Sequence, residues 1–385
     1  MANDKLSAAK AAKNDEFYTQ YYDIEREMEA YLDYDPNVFR GKTVLLPCDD
    51  PEWSNFTKYF AQNFELLGLK KLISTSFAPE SKNYKYEAQL SLFETESPQF
   101  DASKTQTHGK IFVLTRDKTG DGRIDLDDLE WKYLEGDGDF RSKEVTMLRD
   151  EADIIVTNPP FSLFREFFSW LTESGKRFIM IGNKNCVTYK EVFPFFKENK
   201  VWSGRKEWAG GMWFETKNSD DVDRIVDGVY MKNVPSIWLT NIDHGRRHEP
   251  LSLMTMADNL KYSKHKEIRG KVAYDYYDNY DAIEVPFTDA IPSDYEGVMG
   301  VPISFLDKYC PEQFVIVGIT KTWFGMSSKT YPEQIQIDKD GRRSVVTKLN
   351  DGPAIELKEE PNDDTFYQVG DKYYRQTYAR VLIRK

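Results

Sequence analysis

Ile154-Ile155-Val156-Thr157-Asn158-Pro159-Pro160-Phe161 sets the architecture of this chain. A run rich in β-branched apolar residues spells a buried strand, and it stops abruptly at Asn-Pro-Pro. Leu163, Phe164, Phe167, Phe168 and Leu171 then recur at helical spacing, so a helix follows the turn. Strand, stiff turn and crossover helix form the unit from which parallel α/β sheets are built. Such sheets bind ligands beyond the carboxyl ends of their strands, which is where Asn158 to Phe161 fall. Outward from this unit, Lys42 to Leu46 reads as the first central strand, Leu69 to Ser76 as the second and Arg177 to Gly182 as another. Trp208 to Phe214 and Ser236 to Ile242 read as a pair of final strands.

The turn suits one kind of chemistry. An exocyclic amine on a base is a poor nucleophile, because its lone pair is delocalised into the ring. The side-chain oxygen of Asn158 and the carbonyl of Pro159 can accept both amine hydrogens. That favours a pyramidal nitrogen, so the contacts are strongest in the transition state. Pro159 and Pro160 fix φ and carry no N–H, which stiffens the turn. Phe161 offers a flat face for a base rotated out of the stack. A Pro-Pro strand terminator followed by an ordinary core aromatic is the alternative.

With these residues in place, the chain resembles the EcoRI-type family of adenine-specific DNA methyltransferases. Asn158-Pro159-Pro160-Phe161 is similar to the catalytic motif of amino-methyltransferases that act on adenine. Cys48-Asp49-Asp50-Pro51-Glu52-Trp53-Ser54-Asn55-Phe56, Gly138-Asp139-Phe140-Arg141-Ser142 and Gly300-Val301-Pro302-Ile303-Ser304-Phe305-Leu306-Asp307-Lys308-Tyr309 extend the likeness. It runs from about Asp15 to about Gly318 and is weakest over residues 78–135 and the last sixty or so. The resemblance implies a Rossmann-like class I fold, S-adenosyl-L-methionine as cofactor and double-stranded DNA as substrate. It also implies a restriction-modification or phage/host DNA-modification role, with a cognate restriction endonuclease acting on the same site.

The resemblance further implies cofactor contacts. Phe17, Tyr18 and Thr19 are similar to a segment that lines the methionine end of the cofactor; a plain lead-in to a helix is the alternative. Cys48, Asp49 and Asp50 lie after the first strand, where a nucleoside cofactor belongs. No Gly-x-Gly stands there. The carboxylates of Asp49 and Asp50 suit the ammonium and sulfonium groups. Asp50 also fits an N-cap, with Pro51 at the first helical position and Gly68 as the stop. Asp139 and Phe140 correspond to an acidic residue and an aromatic that hold the cofactor's adenine, although the glycines around Asp137 also suit a turn.

Composition sets the limits. The chain has 385 residues, 30% charged and 14% aromatic, which fits a folded protein with one large or two ordinary domains. There is no apolar run near the ~18 residues of a membrane span and no apolar signal core at the N-terminus. Three scattered cysteines, Cys48, Cys186 and Cys310, form neither a disulfide framework nor a zinc spacing, so a reducing cytoplasm is expected. A net charge of -12 argues against a general nucleic-acid coat. Basic groups must then be concentrated locally. Arg246, Arg247, Lys264, Lys266 and Arg269 form one cluster, and Arg375 lies in a basic run near the C-terminus. Solvated faces would look the same.

Between the second strand and Gly138 lies an insertion, about residues 78–135, that reads as a hairpin with Lys110 to Thr115 as one arm. Within it, Asp117, Thr119, Asp121, Asp125 and Asp128 follow much of a calcium-loop template. Its last position is Asp rather than Glu, and a Gly-rich turn explains the same residues, so no metal is expected. The expected organisation is a flexible arm at 1–14, a catalytic domain at 15–243 and a DNA target-recognition region at 244–385. A monomer or weak dimer is expected. The rival functions are a protein glutamine N-methyltransferase, which meets the same planar amine, and a catalytically silent DNA-binding protein on the same scaffold.

Overall fold

The computed structural model describes residues 18–49, 54–78, 100–124, 126–216, 222–361 and 364–385. The arm at 1–14, Phe17, Asp50 and Asp125 lie outside them. The chain divides into two compact units, one of residues 1–184 with 202–245, the other of residues 185–201 with 246–385. The sequence expectation placed 185–201 with the first unit; chain packing groups it with the second.

The first unit is built on an eight-stranded sheet. Its strands are β2 (Thr43–Leu46), β3 (Lys71–Ser76), β4 (Lys110–Leu114), β5 (Glu130–Tyr133), β6 (Ile154–Thr157), β7 (Arg177–Asn183), β8 (Trp202–Ser203) and β12 (Ser236–Thr240), in the order β5-β4-β3-β2-β6-β7-β12-β8. Strands β3, β2, β6 and β7 run parallel; the others join antiparallel. All residues of β2 and β6 are buried, as their unbroken apolar runs require of central parallel strands. After β3 the chain returns to the other side of β2 to make β6. The sheet order therefore reverses between β2 and β6, opening a crevice at their carboxyl ends.

Helices α1 (Tyr21–Tyr34), α2 (Asn55–Gln62), α3 (Phe64–Leu67), α4 (Lys143–Glu151) and α5 (Phe164–Glu173) accompany the sheet. Ser54 caps α2, accepting from Phe56 N at 3.1 Å. Gly68 ends α3 in the left-handed region, as expected. Helix α5 buries Phe164, Phe167, Phe168, Trp170 and Leu171. Gly182 in β7 permits this, because a Cβ there would overlap the Phe164 ring. Helix α1 is pinned by the buried Glu27, whose oxygens accept from Tyr31 OH at 3.0 Å, Arg205 N at 2.7 Å and Lys206 N at 2.9 Å.

A separate four-stranded antiparallel sheet has the order β1-β9-β11-β10, from β1 (Tyr18–Thr19), β9 (Met212–Glu215), β10 (Arg224–Val226) and β11 (Val229–Val234). This corrects one sequence expectation. The run ending at Phe214 does not pair with Ser236–Thr240, which lies instead between β7 and β8. The hairpin in the insertion does form, β4 with β5. In its calcium-like loop two aspartates take backbone N–H groups. Asp117 accepts from Gly120 N at 2.6 Å and Gly122 N at 2.9 Å, and Asp128 from Lys118 N at 2.7 Å and Thr119 N at 2.9 Å.

The second unit carries α6 (Phe193–Lys197), α7 (Met256–Tyr262) and two sheets. One has the order β13-β14-β21-β15, from β13 (Ile283–Glu284), β14 (Met299–Pro302), β15 (Val315–Ile319) and β21 (Arg380–Arg384). The other has the order β17-β16-β19-β20-β18, from β16 (Gln334–Ile337), β17 (Arg343–Val346), β18 (Ala354–Leu357), β19 (Phe366–Val369) and β20 (Lys372–Gln376). Among the described residues no helix is long and apolar enough to cross a membrane.

Candidate active site

The turn after β6 has the stiffness its prolines dictate. Pro159 is buried, Asn158 is half-buried, and the Asn158 side-chain oxygen is shielded from bulk solvent. Pro160 holds φ at -60° and ψ at 123°, and a single 3₁₀ turn, Phe161–Leu163, closes with Leu163 N on Pro160 O at 3.0 Å. Phe161 is half-buried and meets Phe214 of β9 edge to face, with ring centroids 6.2 Å apart and planes at 88°. The antiparallel sheet thus buttresses the aromatic of the motif. Trp208 belongs to the core instead, its indole N–H donating to Ser203 Oγ at 2.8 Å.

Beside this turn, at the carboxyl end of β2, Cys48 adopts a positive φ of 76°, a conformation unusual for a side-chain-bearing residue. Asp49 follows and is 5% exposed. Its Oδ1 accepts from Ser54 Oγ at 2.8 Å, and its Oδ2 lies 2.8 Å from Thr157 Oγ1. Thr157 Oγ1 also reaches Pro47 O at 2.5 Å. Burial pushes the Asp49 carboxyl up to about 7, against the two hydroxyl contacts from Ser54 and Thr157. Each carboxyl oxygen thus has one hydroxyl partner inside the protein.

Tyr18 and Thr19 are brought to the same crevice by β1. Thr19 pairs with Phe214, and its carbonyl accepts from Asn55 Nδ2 at 2.8 Å. The Thr19 hydroxyl is buried with no hydrogen-bond partner among the described residues. An orphaned buried hydroxyl is costly unless a ligand satisfies it. This makes the segment a fit for the polar methionine end of the cofactor.

Asp139 and Phe140 are at the same edge of the sheet but differently engaged. Gly138, at φ 84°, lets this loop press against the carbonyl of Ser76 at the end of β3, where a Cβ would overlap it. Burial works to raise the Asp139 carboxyl, yet the hydrogen bonds and charge of Arg141 outweigh it and hold the group below the usual carboxylate range. Arg141 bridges onward to Glu166 at 2.7 Å. Phe140 is 3% exposed and packs edge to face on Phe167 and Trp170, which makes it a core residue rather than a stacking face. The hydroxyls of Ser54, Thr57, Ser74 and Thr157 were given no role from sequence. Each is an ordinary residue type, made functional only by its position.

In the second unit the basic residues separate. Arg246 pairs with Asp307 at 2.9 Å, both side chains largely buried, and Arg247 is buried with Nη2 bonded to Asn199. Both guanidinium groups thus have partners inside the protein. Lys264, Lys266 and Arg269 are exposed around the end of α7, Lys264 with Asp289 at 2.7 Å. Arg375 is exposed and lies 3.3 Å from Asp275.

A family model described as the adenine-specific methyltransferase EcoRI matches residues 5–385. The chain is 40% identical over 332 residues to the type II methyltransferase M.EcoRI of Escherichia coli, covering 83% of this chain and 90% of that protein. It is 34% identical over 321 residues to the type II methyltransferase M.MpnI of Mycoplasma pneumoniae, covering 81% of this chain and 84% of that protein. It is 33% identical over 321 residues to the type II methyltransferase M.MgeORF184P of Mycoplasma genitalium, covering 81% and 85%. No solved structure matches the chain. With the Asn-Pro-Pro-Phe turn at the sheet's reversal and a family match over nearly its whole length, the chain belongs to the EcoRI family of adenine-specific methyltransferases.

Proposed function

We propose that this enzyme methylates the N6 amine of adenine at a specific site in duplex DNA, with S-adenosylmethionine as the methyl donor. The observation that carries the reading is the position of Asn158 to Phe161, directly beyond β6 where the sheet order reverses. The parallel strands β3, β2, β6 and β7 with antiparallel β12 beyond them support a Rossmann-like class I arrangement.

The target adenine is rotated out of the stack and lies against Phe161. The Asn158 side-chain oxygen and the Pro159 carbonyl accept the two amine hydrogens and aim the nitrogen's lone pair. Bound S-adenosylmethionine supplies an electrophilic methyl on a sulfonium. The Thr19 hydroxyl would hold its methionine end. The nitrogen would bond to the methyl carbon as the carbon–sulfur bond breaks and its electron pair stays on sulfur, leaving a neutral thioether, and would shed its extra proton to water afterwards, so no side chain of matched pKa is required.

The second unit is read as the target-recognition region, with Lys264, Lys266 and Arg269 on DNA phosphates. Protection of DNA from a cognate restriction nuclease, a cytoplasmic site of action and a monomeric or weakly dimeric state complete the proposal. Incubation with methyl-labelled S-adenosylmethionine and either plasmid or protein extract tests it. Label in the N6-methyladenine fraction of the plasmid is the expected result. Label in glutamine of a protein, or in neither substrate, would replace the reading with one of its rivals.

A further inference from the structure

We propose that Asp49 is a positioning residue that works in its neutral form, its carboxylic acid tying the loop after β2 to the end of β6 and so fixing the turn that begins at Asn158. The proposal rests on the role assigned to Asn158 above, and its argument is a count of protons. The Thr157 hydroxyl has one proton and two oxygen neighbours, Pro47 O at 2.5 Å and Asp49 Oδ2 at 2.8 Å. A backbone carbonyl can only accept. Were the hydroxyl to donate to Asp49, two lone-pair oxygens would face each other at the shorter contact. Donation to Pro47 removes that conflict, and the contact to Asp49 then needs a proton on the carboxyl group.

The other carboxyl oxygen agrees. Oδ1 accepts from Ser54 Oγ at 2.8 Å, while Ser54 Oγ itself accepts the helix-capping N–H of Phe56 at 3.1 Å. One oxygen donates and the other accepts, which is the pattern of a neutral acid and equally of an asparagine amide. The Asp49 carbonyl is held in turn by Thr57 Oγ1 at 3.0 Å and by Ser74 Oγ. The hydroxyls of Ser54, at the start of α2, and Thr157, in β6, meet the Asp49 carboxyl, while those of Thr57 in α2 and Ser74 in β3 meet its carbonyl. Burial is the largest influence on its carboxyl and pushes it up to about 7. Thr157 immediately precedes Asn158, so the bridge sets where the amine clamp begins. Ionisation takes the donor away, the Thr157 hydroxyl must turn from Pro47 to the carboxylate, and the strand end loses its tie.

The test compares Asp49→Asn, Asp49→Ala, Thr157→Ser and Thr157→Val in the full-length enzyme, with kcat and both KM values followed across pH and thermal unfolding in parallel. Asp49→Asn should rescue turnover and remove the fall in kcat that the wild type shows as pH rises through about 7. Asp49→Ala and Thr157→Val should lose roughly ten- to a hundredfold in kcat with KM little changed, as misplacement of a reacting group does, and Thr157→Ser should restore it. The sign for stability is separate. A raised carboxyl pKa means that the folded state holds the extra proton between about 4 and 7. Wild-type stability should therefore decline relative to Asp49→Asn as pH rises over that interval and stay level above it. An Asp49→Asn enzyme as impaired as Asp49→Ala, or one with a raised KM for S-adenosylmethionine and unchanged kcat, would overturn the proposal in favour of an ionised cofactor ligand. If instead Asn158→Ala kept full turnover, the role of Asn158 would fail while the pH contrast in unfolding still reported on Asp49.

Discussion

Asn158→Ala should lower kcat by about 10²–10³-fold, with DNA and S-adenosylmethionine affinity within a few-fold of wild type. The magnitude is that of removing one preorganised hydrogen-bonding group from a water-excluded site. The split follows from when the contact matters. The adenine amine is planar before reaction, and the Asn158 oxygen gains most as the nitrogen pyramidalises. Removing it therefore costs transition-state binding more than ground-state binding. Steady-state kinetics with a duplex substrate, together with direct binding measurements, check the split. Unchanged turnover would remove Asn158 from the chemistry. A loss confined to KM would make it a binding residue instead.

Glu284→Ala should destabilise the second unit by about 3–5 kcal/mol, the usual consequence of stranding a buried charge. Glu284 in β13 is 4% exposed and lies 2.6 Å from Arg380 of β21, which also donates through Nε at 3.1 Å, while Tyr277 OH bonds the same carboxylate. The alanine variant removes the only acidic group in this set and leaves the guanidinium in an apolar sheet. Replacing both partners, Glu284→Leu with Arg380→Met, should recover much of the loss, because the desolvation cost then disappears from both sides. Urea unfolding of the wild type and these two variants measures this. Equal stabilities for wild type and Glu284→Ala would show that the pair is not buried as described.

What the sequence disclosed and what it withheld divide along one physical line. Strand β6, its Pro-Pro turn and helix α5 are contiguous, and each is coded by its own residues: β-branched apolars, fixed φ and a helical apolar stripe. Strands β2, β3 and β7 were legible for the same reason. Partnership across distance was not. Thr157 and Asp49 are 108 residues apart, and nothing in either segment announces that one will consume the other's hydrogen bonds. Arg246 looked like a phosphate ligand until Asp307, 61 positions away, was found beside it. The family resemblance gives Phe140 a place against the cofactor's adenine, whereas its ring packs on Phe167 and Trp170.

One local error has a local cause. The run ending at Phe214 has the apolar character of a strand, but alternation fixes a strand's faces and not its partner, and β1 and β11 flank it.

The enzyme's central claim is that the stiff turn after β6 grips an amine through one side-chain oxygen and one carbonyl. A structure of the enzyme with its duplex target and the demethylated cofactor measures this most directly. The account predicts an extrahelical adenine against Phe161, its N6 within about 3.2 Å of both Asn158 Oδ1 and Pro159 O. An adenine still stacked in the duplex, or an Asn158 side chain turned into the protein interior, would contradict it.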